Sequence, residues 1–81
     1  MPDLIELPVA EAKRLKHEIG RLKYGGDQFV GNPLVELFDE CLDGMNYCDE
    51  CIRRGLPLQT IKGQLLTMAE RVKALYEASR G

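Results

Sequence analysis

Three carboxylates near the middle of the chain have a spacing that suits metal chemistry. Glu36, Glu40 and Asp43 follow an E-x3-E-x2-D pattern. On an α-helix this spacing stacks the three side chains on adjacent turns of one face. Mg²⁺ prefers carboxylate oxygens and commonly keeps several of its waters in protein sites. The pattern therefore predicts a magnesium site on a helix that carries these residues.

The same acids have two other interpretations. Residues 32–52 contain six acids and no Lys or Arg, and like charges three or four positions apart destabilise a helix by a few tenths of a kcal/mol per pair. A divalent cation or a basic partner surface would offset this repulsion. Salt alone would weaken it on a solvated face that binds nothing. A metal site, a partner surface and a solvated face are the three alternatives.

Three amphipathic helices are predicted to position these side chains. The helical periodicity covers residues 8–24, 33–54 and 57–79. No segment of useful length alternates as a strand would. Asn32 suits the N-cap of the second helix and Gly55 its end. The connection to the third helix is very short, which indicates an antiparallel hairpin. We therefore predict an all-α fold for a single small domain that covers residues 1–81.

Apolar residues on the second and third helices alternate in steps of three and four, as in coiled-coil-like packing. They are Leu34, Phe38, Cys41, Met45, Cys48 and Ile52 on the second helix, and Leu58, Ile61, Leu65, Met68, Val72 and Leu75 on the third. A chain of 81 residues is near the lower limit for one self-sufficient core. We therefore expect these residues to form a seam and a homodimer to complete a helical bundle.

Composition limits the class of protein and its compartment. The chain is 44% apolar and 30% charged, with a net charge of -2, as in soluble globular proteins. No apolar run approaches the about 20 residues that cross a membrane, and the acidic start lacks the basic region of a secretory signal. Three cysteines at helical spacing argue against a disulfide framework. These features predict a cytoplasmic protein that does not bind a membrane.

The cysteines raise a zinc hypothesis. Cys41, Cys48 and Cys51, with His17 as a fourth ligand, would form a known zinc-binding set. However, Cys41 and Cys48 lie on the apolar seam, where a thiol behaves as a small hydrophobic group. We therefore interpret them as core thiols and disfavour zinc.

A basic segment precedes the acidic helix. Residues 13–23 contain five Lys or Arg and one Glu, which could contact phosphates of a nucleic acid. Their charges are scattered around the helix, and the acidic second helix would repel a polyanion. Nucleic acid is therefore disfavoured, and ion pairing or solubility is the simpler role of these residues.

About half of the chain, residues 20–55, resembles small, often phage-encoded relatives of the MazG-like all-α nucleoside triphosphate pyrophosphohydrolases. The similarity lies in "LKYGGDQF" followed by "PLVELFDECLDGMNYCDECIRRG". These relatives tend to have a Tyr-Gly pair before a loop. A helix with two glutamates, an aspartate and an Asn-Tyr pair then follows and ends in a basic residue.

The resemblance implies an all-α oligomer that cleaves a nucleotide between its α and β phosphates with Mg²⁺. Glu36, Glu40 and Asp43 match the metal-binding carboxylates, and Asn46 and Tyr47 match the Asn-Tyr pair expected near the nucleotide. It assigns no catalytic residue.

Basic residues of the first helix would complete such a site. Lys16, Arg21 and Lys23, together with Lys13, would stabilise charge that develops on the phosphoryl oxygens.

The chain departs from the family in having one strongly acidic helix where full-length members have two. Either a second subunit supplies the other acidic row, or the fold persists without the chemistry. The alternative function is a non-catalytic, phage-type module that binds and modulates a host protein through its acidic helix or its apolar seam.

Overall fold

The computed structural model describes residues 3–23 and 31–80. It contains a short 3-10 turn, Leu4–Glu6, and the helices α1 (Val9–Lys23), α2 (Pro33–Arg53) and α3 (Gln59–Arg80). No strand occurs within these two ranges. The all-α, three-helix prediction is confirmed, and every predicted helix boundary lies within two residues of the observed one. The seven residues between α1 and Gly31 lie outside the described ranges.

Helix α2 begins at a complete N-terminal cap. The side-chain Oδ1 of Asn32 accepts a hydrogen bond from the backbone N–H of Leu34 at 2.9 Å. The backbone carbonyl of Asn32 accepts from the N–H of Glu36 at 3.1 Å. Pro33 occupies the first helical position, where its missing N–H costs nothing. These local interactions set the first turn of the helix that carries the acidic residues.

Helix α2 ends in a Schellman motif at Gly55. Its φ of 90° lies in the left-handed region that favours glycine. The N–H of Gly55 donates to the carbonyl of Ile52, and the N–H of Leu56 donates to the carbonyl of Cys51, both at 2.9 Å. The tight turn reverses the chain and places α3 antiparallel to α2.

The chain divides into two compact units, Met1–Val30 and Gly31–Gly81. In the second unit α2 packs against α3. Four side chains are buried there: Cys41, Cys48, Ala69 and Val72. An ion pair between Asp49 and Lys62 also joins the two helices. The predicted antiparallel hairpin is therefore confirmed, and its core is small.

The seam predicted on α3 is partly wrong. Val72 is buried, but Ile61, Met68 and Leu75 are 47%, 46% and 60% exposed. Ala69, which the predicted seam omits, is buried in their place. The apolar arc of α3 is wider than the strip that one neighbouring helix can cover, so packing against α2 selects only one side of the arc.

The first unit holds the 3-10 turn and α1, which pack against each other. On the apolar side of α1, Ala12 and Leu15 are half-buried and Ile19 is 49% exposed. None of the helices within the described residues combines the length and the apolar character that a membrane-spanning helix requires.

Candidate functional site

The predicted metal ligands lie on the outer surface of α2. Glu36, Glu40 and Asp43 are all exposed, as is Asp39 beside them. Glu36 falls in the first helical turn, where the positive end of the helix dipole favours a carboxylate. Within the described ranges no Lys or Arg pairs with any of these four acids. Their negative charge is therefore available to a cation or to a basic surface.

The two remaining acids of the helix behave differently. Asp49 forms an ion pair with Lys62 of α3. Glu50 accepts a hydrogen bond from Nε of Arg53 at 2.9 Å and another from Nε of Arg54 at 3.0 Å. The acidic run of α2 thus splits into a neutralised C-terminal end and an unneutralised N-terminal part.

The arginine pair also shifts the titration of Glu50. Hydrogen bonds from Arg53 and, to a smaller extent, from Arg54 lower the pKa of the Glu50 carboxyl below its ordinary value. The same contact raises the pKa of the Arg53 guanidinium. Glu50 is therefore paired, as Asp49 is, and neither carboxylate is as available to a cation as the acids of the helix that have no basic partner among the described residues.

Asn46 and Tyr47, the residues expected near a nucleotide, are both exposed on α2. The Tyr47 side chain is 73% exposed, the highest value for a large apolar or aromatic residue of the hairpin. An exposed phenol offers a flat surface for stacking and a hydroxyl for hydrogen bonding. The helix places both residues after Asp43, on the side of the acidic row.

The three basic residues predicted to contact phosphates belong to α1, in the first unit. Lys16 is exposed and, with Lys13, lines a shallow apolar groove between the 3-10 turn and α1. The side chains of Arg21 and Lys23 lie outside the described part of the chain. The role of all three stays a prediction.

The cysteines are free thiols on the inner side of α2. Cys41 and Cys48 are buried and Cys51 is half-buried, which confirms the interpretation of Cys41 and Cys48 as core residues. His17 is exposed on α1. The buried thiols fill space between the two helices of the hairpin.

The acidic row offers oxygen ligands without a closed cage. Across residues 3–23 and 31–80, no three His, Cys, Asp or Glu side chains are arranged to hold one metal ion together. Along a helix, Glu36 and Glu40 are about 6 Å apart in rise. Such donors fit Mg²⁺ that keeps several waters and is shared with phosphates, and they do not fit a site made of protein ligands alone.

Two features of the hairpin were missed from the sequence. A Cβ built on Gly44 would lie 2.9 Å from Cδ1 of Leu65, so the Leu65 side chain packs directly on this glycine. Ile61, Met68 and Leu75 form an exposed apolar row on α3. Their spacing of seven residues was a signal for the second feature, whereas a mid-helix glycine has no specific meaning in sequence alone.

Comparison of the chain with protein-family models, with curated proteins and with solved structures finds no match in any of the three.

Proposed function

We propose that the chain is a MazG-like nucleotide-binding protein that hydrolyses a nucleoside triphosphate to a monophosphate and pyrophosphate with Mg²⁺. The observation that supports it is the division of charge on α2. Asp49 and Glu50 have basic partners, whereas Glu36, Glu40 and Asp43 have none among the described residues. Unpaired like charges in one row destabilise the helix that carries them, and a bound cation would offset this cost.

In this proposal Mg²⁺ would bind at the acidic row of Glu36, Glu40 and Asp43, with waters and phosphate oxygens as further ligands, because the three carboxylates are not arranged to hold one ion by themselves. The ion, when bound, neutralises phosphate charge and activates a water for attack. Tyr47 stacks on the base, since its ring is 73% exposed, and Asn46 supplies donors and acceptors for hydrogen bonds.

The proposed site needs positive charge in addition to the metal. A triphosphate would be repelled by an acidic row that has no cations nearby. Lys16, Arg21 and Lys23 of α1 bind the phosphate oxygens and stabilise the charge that develops on them. A second subunit completes the helical bundle as a homodimer and brings a second acidic row. The protein acts in the reducing cytoplasm, where three free thiols persist.

A thermal-shift screen tests nucleotide binding. Each nucleoside triphosphate is added with and without Mg²⁺, and a ligand at about 100 times its Kd adds roughly 2.7 kcal/mol to the stability. We expect stabilisation that requires both components. A screen in which no nucleotide stabilises the protein argues against this function.

A pyrophosphate-release assay tests the metal ligands. The triple variant Glu36→Gln, Glu40→Gln, Asp43→Asn removes three charges with little change of shape, and it should abolish hydrolysis. The matched control is Asp39→Asn, an exposed acid of the same helix outside the proposed ligand set, which should retain activity. Full turnover in the triple variant would refute the mechanism.

The acidic surface also supports a second candidate, a non-catalytic module that binds a basic surface of a host protein. Four exposed acids and an exposed tyrosine share one side of α2, and tyrosine is enriched at protein interfaces. In this case the chain would show no response to nucleotides. A pull-down should then retain one protein on the wild-type chain and lose it with Glu36→Lys and Asp43→Lys. Retention of the same protein by both forms contradicts this candidate.

A further inference from the structure

The α2–α3 hairpin has two apolar flanks, one on each side of the plane that contains both helices. Turning about 100° per residue from the buried positions assigns each exposed residue to a side. The glycine flank is the side where Gly44 meets Leu65. It carries Leu37, Gly44 and Cys51 of α2 and Ile61, Met68 and Leu75 of α3. The lysine flank is the side where Asp49 pairs with Lys62, and it carries Val35, Leu42 and Leu66.

The glycine flank has the pattern of a second helix-packing surface. Its residues repeat every seven positions on both helices, from Leu37 to Cys51 and from Ile61 to Leu75. Each of these rows spans about 21 Å at the rise of an α-helix. Neither row contains a charged residue. A sustained seven-residue repeat of this kind is typical of helices that pack side by side.

The buried core of the hairpin is small. The four buried side chains are two cysteines, an alanine and a valine, and no large apolar residue is among them. Small domains add disulfides, metals or oligomerisation when one core is insufficient. The cysteines are free thiols. Burial of Ile61, Met68 and Leu75 against a partner would supply the missing apolar contact.

The charges at the edges of the glycine flank indicate which partner fits. Glu40 lies at its outer edge on α2, and Arg71 at its outer edge on α3. Both are exposed, and neither has a charged partner among the described residues. Asp49 and Lys62 are paired, so they lie at the same level, that is, at the same height along the two antiparallel helices. Glu40 is nine residues before Asp49, and Arg71 is nine residues after Lys62. Glu40 and Arg71 therefore also lie at one level.

We propose that a second copy of this chain packs on the glycine flank about a twofold axis parallel to the helices. This rotation lays α2 antiparallel over α3 of the partner subunit and keeps every residue at its own level. Glu40 then meets Arg71 of the partner subunit at both outer edges. Met68 then lies at the level of Gly44 of the partner subunit. The inference rests on the proposed homodimer and is independent of the proposed hydrolysis.

The pairing is compatible with the metal role proposed for Glu40. A carboxylate has two oxygens and about four sites for accepted hydrogen bonds. One oxygen can accept from the guanidinium while the other faces the cation. The partner subunit would thereby place one positive charge at the edge of each acidic row.

Light scattering over a range of protein concentrations, without nucleotide, tests which flank forms the dimer. Met68→Lys places a charge at the centre of the glycine flank and should raise the dissociation constant by at least about hundredfold. Leu66→Lys is the matched control on the lysine flank, with a similar exposure of 48% against 46%, and should remain dimeric. Circular dichroism reports whether each variant keeps its helices.

A charge swap tests the edge pairing with exposed residues that do not threaten folding. Glu40→Arg and Arg71→Glu should each weaken the dimer by roughly tenfold, since two symmetric pairs become repulsive. The double variant restores opposite charges and should recover most of the loss. Failure of the double variant to recover overturns the pairing of Glu40 with Arg71.

The outcomes separate this inference from the proposals on which it stands. Dissociation by Leu66→Lys with a dimeric Met68→Lys would overturn the glycine flank and leave the homodimer intact. A wild-type chain that is monomeric at all concentrations would overturn both. Loss of hydrolysis in the acidic-row variant does not test the dimer, because that variant also removes Glu40, so light scattering alone decides the interface.

Discussion

Gly44 of α2 packs directly against the side chain of Leu65 on α3. A Cβ built on Gly44 would stand 2.9 Å from Cδ1 of Leu65 and 3.5 Å from its Cδ2. The two buried cysteines of α2 lie three residues before and four residues after this glycine. The absence of a side chain at this position thus leaves the space that the Leu65 side chain occupies beside the buried cysteines.

Gly44→Val is expected to destabilise the protein by about 1–3 kcal/mol, because the added side chain displaces Leu65 from its packed position. The matched control is Gly63→Val on α3, where a Cβ meets nothing within 4 Å. The control should be close to neutral, since valine and glycine differ little in helix propensity. Urea unfolding followed by circular dichroism gives both free energies. Equal effects at the two positions would contradict the close approach.

Gly55→Ala is expected to cost about 1 kcal/mol of unfolding free energy. The φ of 90° at Gly55 is unfavourable for a residue with a Cβ. Gly55→Asn should cost less, because asparagine tolerates the left-handed region better than alanine does. Urea unfolding measures the difference between the two variants. If alanine proves as stable as glycine, the Schellman turn does not hold the hairpin as described.

Asn32→Ala is expected to cost about 1 kcal/mol, because the N–H of Leu34 loses its side-chain acceptor at 2.9 Å. The control is Asn46→Ala, an exposed asparagine inside the same helix, which should change stability by less than about 0.5 kcal/mol. Thermal unfolding of both variants makes the comparison. In the pyrophosphate-release assay Asn46→Ala should lose more activity than Asn32→Ala, because Asn46 belongs to the proposed nucleotide site and Asn32 does not.

Glu50 is expected to make stability depend on pH in the acidic range. Arg53 and Arg54 lower the pKa of its carboxyl in the folded protein. A depressed folded pKa means that the stabilisation is complete above the unfolded pKa and is lost as the pH falls through the folded pKa. The stability advantage of the wild-type chain over Glu50→Gln should therefore be present at pH 7 and disappear near pH 2. Thermal unfolding of both proteins across this range checks the sign. An advantage that grows on acidification would be the opposite result.

Much of the local structure of this protein is determined by short stretches of its sequence. The start of α2 depends on Asn32 and Pro33, and its end depends on Gly55. These residues act on backbone groups a few positions away, so their effects do not require knowledge of the rest of the fold. The helical periods and the short turn likewise predict the hairpin.

Only the tertiary structure decided which side chains of α3 are buried. Met68 and Val72 belong to the same apolar pattern, yet one is 46% exposed and the other is buried. The rotation of α3 about its axis depends on how its side chains pack on the opposite helix, as Leu65 does on Gly44, and a pattern along one helix carries no such information.

The acidic run of α2 shows the same division between sequence and tertiary structure. Its composition alone indicates strong repulsion along the helix. Lys62, thirteen residues away on α3, neutralises Asp49. Glu36, Glu40 and Asp43 lie on the opposite side of α2, away from this lysine. Ion pairs between helices depend on which faces meet. The hairpin geometry therefore determined that Asp49 is paired, whereas Glu50 is paired by arginines close to it in sequence.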